Sequence, residues 1–179
     1  MKRVLIIGNS GSGKSWLSSR LSSLLQVKEV NLDSVVWEPG GYNQKRSQES
    51  IDLELDKISA QSSWVVEGVF GALAEQLAPV ADTLIFLDID WPVCEQSLLL
   101  RGSESSKQLD SELAEKNFQE LLKWASEYGS RTSKSSHQYH RHLYAGFKGN
   151  KIYLSTRDEV NVFVCSLKKN VECLEKPLC

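Results

Sequence analysis

An α/β fold built around a parallel sheet is predicted by three features of this 179-residue chain. An apolar run, Val4-Leu5-Ile6-Ile7, passes directly into Gly8-Asn9-Ser10-Gly11-Ser12-Gly13-Lys14-Ser15. Strand-like and helix-like segments then alternate along the chain. The strand-like segments are continuously apolar, which suits strands covered on both faces. Crossovers in such a sheet are right-handed, and ligands bind beyond the carboxyl ends of its strands.

The first element is the strand ending at Gly8, and a helix follows from near Lys14 carrying Leu17, Leu21, Leu24 and Leu25. Between them lies G-x-x-x-x-G-K-S, the phosphate-binding P-loop. Gly8, Gly11 and Gly13 lack a Cβ, so the loop can turn sharply and aim its amides inward as an anion nest. The helix start adds the positive end of its dipole. The motif assigns Lys14 to the β- and γ-phosphates of a nucleoside triphosphate and the Ser15 hydroxyl to Mg²⁺. Val27 to Asn31 reads as a short strand, and Asn43 to Gln61 as a helix with Ile51, Leu55 and Ile58 on one side. Trp64-Val65-Val66-Glu67, ended by Gly68, and Thr83 to Leu87, ended by Asp88, are buried-type strands. Asp90-Trp91-Pro92 reads as a helix start, with Asp90 as cap. Leu109 to Tyr128 reads as a long amphipathic helix, and Ser130 to Asn150 as a polar loop with little periodicity. Lys151 to Leu154 is a last strand, and Thr156 with Glu159 forms a capping box for a final helix.

Hydrophobic residues make up 41% of the chain, enough for a core, and the length fits one domain over residues 1–179. The net charge of −2 argues against nucleic acid or an anionic membrane as partner. No run of 18 apolar residues offers a membrane span, and the N-terminal apolar stretch reads as a strand rather than a signal peptide. The four cysteines, Cys94, Cys165, Cys173 and Cys179, form no C-x-x-C pair. They read as reduced thiols of a cytoplasmic protein, with Cys94 and Cys165 in packing positions.

Taken together, GNSGSGKS, NLDSVVWEPG, WVVEG, ADTLIFLD and LSTRDEVNVF resemble, in that order over nearly the whole chain, the adenylate-kinase-related P-loop proteins of bacteria. Some of these carry the label "DNA topology modulation protein". The resemblance implies a three-layer, nucleoside-monophosphate-kinase-like fold. Its five-stranded parallel sheet has order 2-3-1-4-5, an acceptor-binding insert spans about 33–62, and a lid spans about 101–148. It implies ATP and Mg²⁺ as cofactors, and a nucleotide or other small-molecule phosphate acceptor as partner.

Carried over residue by residue, the resemblance gives Gly8 to Ser15 and the departing Trp16 to the nucleotide. Asp33 would orient the acceptor, and Glu67 would hold water on Mg²⁺ or accept the acceptor's proton. Trp37, Arg46 and Gly68 would line the acceptor site. Arg131 would stabilise the migrating group, with Arg101 and Arg141 as further lid candidates. A family arginine one helical turn before Arg101 is replaced by Ser97. Arg157 would lie near the base. Asp88 ends an apolar strand as a Walker B acid does. His137, His140 and His142 lack zinc spacing. Three functions compete on these residues: an ATP-dependent phosphotransferase, a P-loop NTPase or nucleotide-dependent regulator, and a DNA-binding module. The charge disfavours the third, and no N-K-x-D guanine-reading motif appears.

Overall fold

Alternation along the first strand divides the core into two layers. In a computed structural model describing residues 1–39, 44–103 and 111–174, β1 (Arg3–Gly8) is the central strand of a five-stranded parallel sheet of order β2-β3-β1-β4-β5. Its neighbours are β3 (Trp64–Gly68) and β4 (Thr83–Leu87), paired from Arg3↔Trp64 to Ile7↔Gly68 and from Val4↔Thr83 to Gly8↔Leu87. The outer strands are β2 (Glu29–Asn31) and β5 (Asn150–Leu154). This is the strand order that the family resemblance implied.

Successive side chains of a strand leave on opposite faces. Leu5 and Ile7 therefore pack into one cluster with α2 (Leu32–Val36), α3 (Gln48–Ala60), α4 (Gly71–Leu77) and α7 (His137–Gly146). Val4 and Ile6 pack into the other with α1 (Lys14–Leu25), α5 (Trp91–Arg101) and α8 (Arg157–Leu174). Each fully buried Leu or Ile in these layers contributes roughly 1.5–3 kcal/mol of transfer free energy. A smaller cluster around Leu98, Phe118 and Ala125 holds α6 (Ser111–Ser126) against α5.

Several element boundaries differ from expectation. The helix expected from Asn43 begins at Gln48, because Ser47 caps it by accepting from Ser50 N. The preceding backbone is spent otherwise: Trp37 bridges Lys45 in antiparallel fashion, and Arg46 N donates to the Val36 carbonyl. Asn43 itself lies outside the described residues. The expected loop at Ser130–Asn150 contains α7, started by the Ser136 hydroxyl accepting from Tyr139 N. Two helices, α2 and α4, were not anticipated. Asp90 occupies the N-cap position of α5, but its side chain accepts no capping bond. The Thr156–Glu159 box is formed in both directions, Glu159 N to Thr156 Oγ1 at 3.1 Å and Thr156 N to Glu159 Oε2 at 3.2 Å. Cys94 is buried as expected, whereas Cys165 is exposed on α8. Cys173 and Cys179 lie where no side chain is described. No described helix is long and apolar enough to cross a membrane.

Candidate active site

The phosphate loop joins β1 to α1 and opens onto a cavity of about 970 Å³ at the carboxyl ends of the strands. Gly11 and Gly13 carry φ of 77° and 92°, a backbone region that side chains strain to occupy. Space is closed to them too: a Cβ on Gly11 would strike the Cys94 carbonyl, and one on Gly13 the Arg157 guanidinium. Lys14 is buried at the floor and donates from Nζ to the Asn9 carbonyl at 2.8 Å. Ser15 Oγ donates to Glu67 Oε1 at 2.7 Å. Glu67 ends β3 and is 2% exposed, with Ser15 and Lys14 beside it in the cavity wall.

That hydroxyl–carboxylate pair suits a hard cation, which takes oxygen ligands. The inward-turned loop and its buried ammonium suit a polyphosphate. The residues therefore fit MgATP, with Ser15 and Glu67 able to hold the metal, directly or through water. Asp33 lines the cavity from the first turn of α2, where Asn31 Oδ1 accepts from Asp33 N at 2.7 Å and fixes the turn. Burial lifts its carboxyl above the ordinary 3.8; Glu67 pushes the same way, while Lys14 and Arg101 pull against it. Trp37, Trp16, Arg101 and Arg157 also line the cavity.

Other expected residues lie elsewhere. Arg131 does not line the cavity. Its guanidinium stacks 3.5 Å from the Trp124 ring centroid and donates to the Trp124 and Ser135 carbonyls. Arg46 faces Glu38 at 3.5 Å, and Arg141 is exposed on α7. The Walker B comparison fails for Asp88, because β4 delivers it to a different set of partners. Asp88 Oδ2 accepts from Tyr153 Oη at 2.7 Å, and Oδ1 lies 2.9 Å from His137 Nε2. Gly68 serves packing, since a Cβ there would meet the Leu32 side chain at 2.7 Å. Asn9 is turned away from the cavity: its amide donates to the Ala125 carbonyl at 2.9 Å, and its Oδ1 accepts from Ser10 N. Ser12 is buried.

Arg157 braces the loop from outside. It donates to the carbonyls of Ser12 and Gly11 and, at 2.8 Å, to Ser97 Oγ. Ser97 is thus this arginine's partner on α5. The three histidines form no metal centre, and no cluster of metal-ligating side chains occurs among the described residues. His140 is instead wholly buried. The Val69 carbonyl can only accept, so Nε2 carries the proton at 3.1 Å, and Nδ1 accepts from Tyr128 Oη at 2.6 Å. Phe70, Asn117, Leu121 and Trp124 line the cavity without having been anticipated. The last three recur at i, i+4, i+7 on α6, a stripe beside the core-facing one.

No family model matches the chain, and no curated protein matches it significantly. Solved structures do. A shikimate kinase from Acinetobacter baumannii in complex with shikimate is 12% identical, with a TM-score of 0.54 over 98% of this chain and 95% of that one. The shikimate kinase from Bacteroides thetaiotaomicron is 14% identical, with a TM-score of 0.52 over 96% and 98%. At these identities the likeness is one of fold, and the chain shares the five-stranded parallel architecture of P-loop kinases.

Proposed function

We propose that the chain is an ATP-dependent phosphotransferase acting on a hydroxyl of a small-molecule acceptor, either a nucleotide or another compound. The observation that carries this reading is the meeting of Lys14, the Ser15–Glu67 pair and Asp33 in one cavity. Mg²⁺, when bound with ATP, neutralises and orients the phosphates. Lys14 leaves the Asn9 carbonyl for the β- and γ-phosphates. Ser15 and Glu67 hold the metal. Arg101 and Arg157 offset charge on the nucleotide side, the role expected of lid arginines, while Arg131 supports Trp124 from behind. Asp33, at the acceptor side, takes the hydroxyl proton. Its raised pKa strengthens it as a base. Burial of the reacting groups by α6 and the residues around it, the expected lid region, excludes water. Cytoplasmic thiol chemistry and the adenylate-kinase-related subtype are part of the same reading.

The test is consumption of MgATP with and without nucleosides, nucleotides and small alcohols. Acceptor-dependent loss is expected. Lys14→Met should lower kcat/KM by at least a hundredfold, and Glu67→Gln should raise the Mg²⁺ concentration for half-activity at least tenfold. ATP loss that ignores every acceptor and tracks a protein partner would replace this reading with the nucleotide-dependent regulator.

A further inference from the structure

The strand order sorts the cavity's charges. Asp33 and Trp37 follow β2, Glu67 lies at the carboxyl end of β3 and Phe70 just after it, so all four lie on the β2–β3 side of the phosphate loop. Arg101 on α5 and Arg157 on α8 follow β4 and β5, on the other side. From α6, Glu120 and Trp124 complete the wall. Among the described residues, the basic side chains lining the cavity are Lys14, Arg101 and Arg157. Two further arginines do not line it: Arg46 faces Glu38, and Arg131 is committed to the Trp124 and Ser135 carbonyls. Of the charges acting on Asp33, Lys14 outweighs Glu67 and Arg101 adds to it, so the upward shift there comes from burial; a triphosphate that takes up Lys14 and Arg101 leaves Asp33 facing the acceptor. The positive groups are those that a triphosphate would occupy. An acceptor entering from β2–β3 meets carboxylates and rings.

We propose that the acceptor carries no negative charge and presents a flat apolar face: a nucleoside or cyclic polyol held between Trp37, Phe70 and Trp124. Asp33 and Glu120 repel monophosphates and carboxylates, while the charge of Glu67 is spent on the metal. This rests on the phosphotransferase reading and narrows it. Aromatic faces suit such a body and tolerate a cation. The like charges supply the rejection that specificity requires.

Matched pairs test the proposal in the full chain: a pyrimidine nucleoside against its 5′-monophosphate, and a hydroxylated ring carboxylate against its methyl ester. The uncharged member is expected to support MgATP consumption with kcat/KM at least tenfold above its anionic partner. Equal or better use of the anionic member overturns the proposal. A second measurement needs no acceptor. The part of the tryptophan fluorescence removed by Trp37→Phe should, after each quenching constant is divided by that of free N-acetyltryptophanamide, be several-fold more accessible to caesium than to iodide, and equal or greater normalised iodide quenching overturns the proposal as well. Calorimetry with MgATP on the same preparation separates the two levels. ATP binding together with use of an anionic acceptor sinks this inference alone. No ATP binding sinks the phosphotransferase reading, and the quenching still decides the sign of the wall.

Discussion

Acid should loosen this protein through His140. The ring is fully enclosed, and burial, aided by the charge on Lys14, lowers its pKa from 6.5 to about 3, with the bond to the Val69 carbonyl opposing. In the unfolded chain the imidazole takes up its proton near 6.5; in the folded chain it resists until about 3. The unfolded state therefore binds more protons across that window. Stability is fully present above 6.5, falls as pH drops through the window and is flat again below about 3. Each pH unit inside the window is worth about 1.4 kcal/mol, so moving from pH 7 to pH 5 costs about 2 kcal/mol from this residue. The assay is urea unfolding of wild type and His140→Gln at both pH values, read by tryptophan fluorescence. Glutamine can still donate to the Val69 carbonyl but does not titrate. The variant is expected to be less stable at pH 7, and its loss between pH 7 and 5 should be about 2 kcal/mol smaller than that of wild type. Every other titrating group is common to both chains and cancels in the comparison. Equal losses would refute the reasoning, because His140 would then be charging as freely folded as unfolded.

Two further outcomes follow from polar contacts. Asn9→Ala leaves the Ala125 carbonyl and the Ser10 amide without their side-chain partner, which should lower unfolding free energy by roughly 1–3 kcal/mol and speed amide exchange in the last turn of α6; unchanged exchange there would count against the tether. Asp88→Ala removes the acceptor shared by Tyr153 and His137 and, with Tyr153 exposed to water, should cost only roughly 0.5–1.5 kcal/mol while MgATP affinity by calorimetry stays within threefold. A tenfold loss of that affinity would restore the Walker B role.

The sheet was legible because its strands are short continuous apolar runs ending at Gly8, Gly68 and Asp88, and because the phosphate loop fixes which of them starts the fold. The strand order came from the family resemblance, since nothing in the spacing dictates it. The helix α7 was hidden by chemistry. Its inward side is made of His137, His140 and Tyr144 packed around Phe86, and no aliphatic stripe marks it. The helix α4 is two turns that begin on a glycine, with too few positions to show a period. At the site, Lys14, Ser15, Asp33 and Glu67 could be picked out because motif or strand-end position constrains them. Arg46, Arg131 and Asp88 could not be placed, because a charged side chain's partner is set by tertiary neighbours: Glu38, the Trp124 carbonyl and Tyr153 respectively.

The volume that a Cβ would claim at Gly13 is taken by a guanidinium from far along the chain. The phosphate loop therefore closes a circuit between β1 and α8. During synthesis, a nascent polypeptide that has emerged only as far as β4 owns every residue of the phosphate motif but not its outer strut. The braced form of the loop accordingly arrives late, when β5 and α8 seat themselves beside the strands made first.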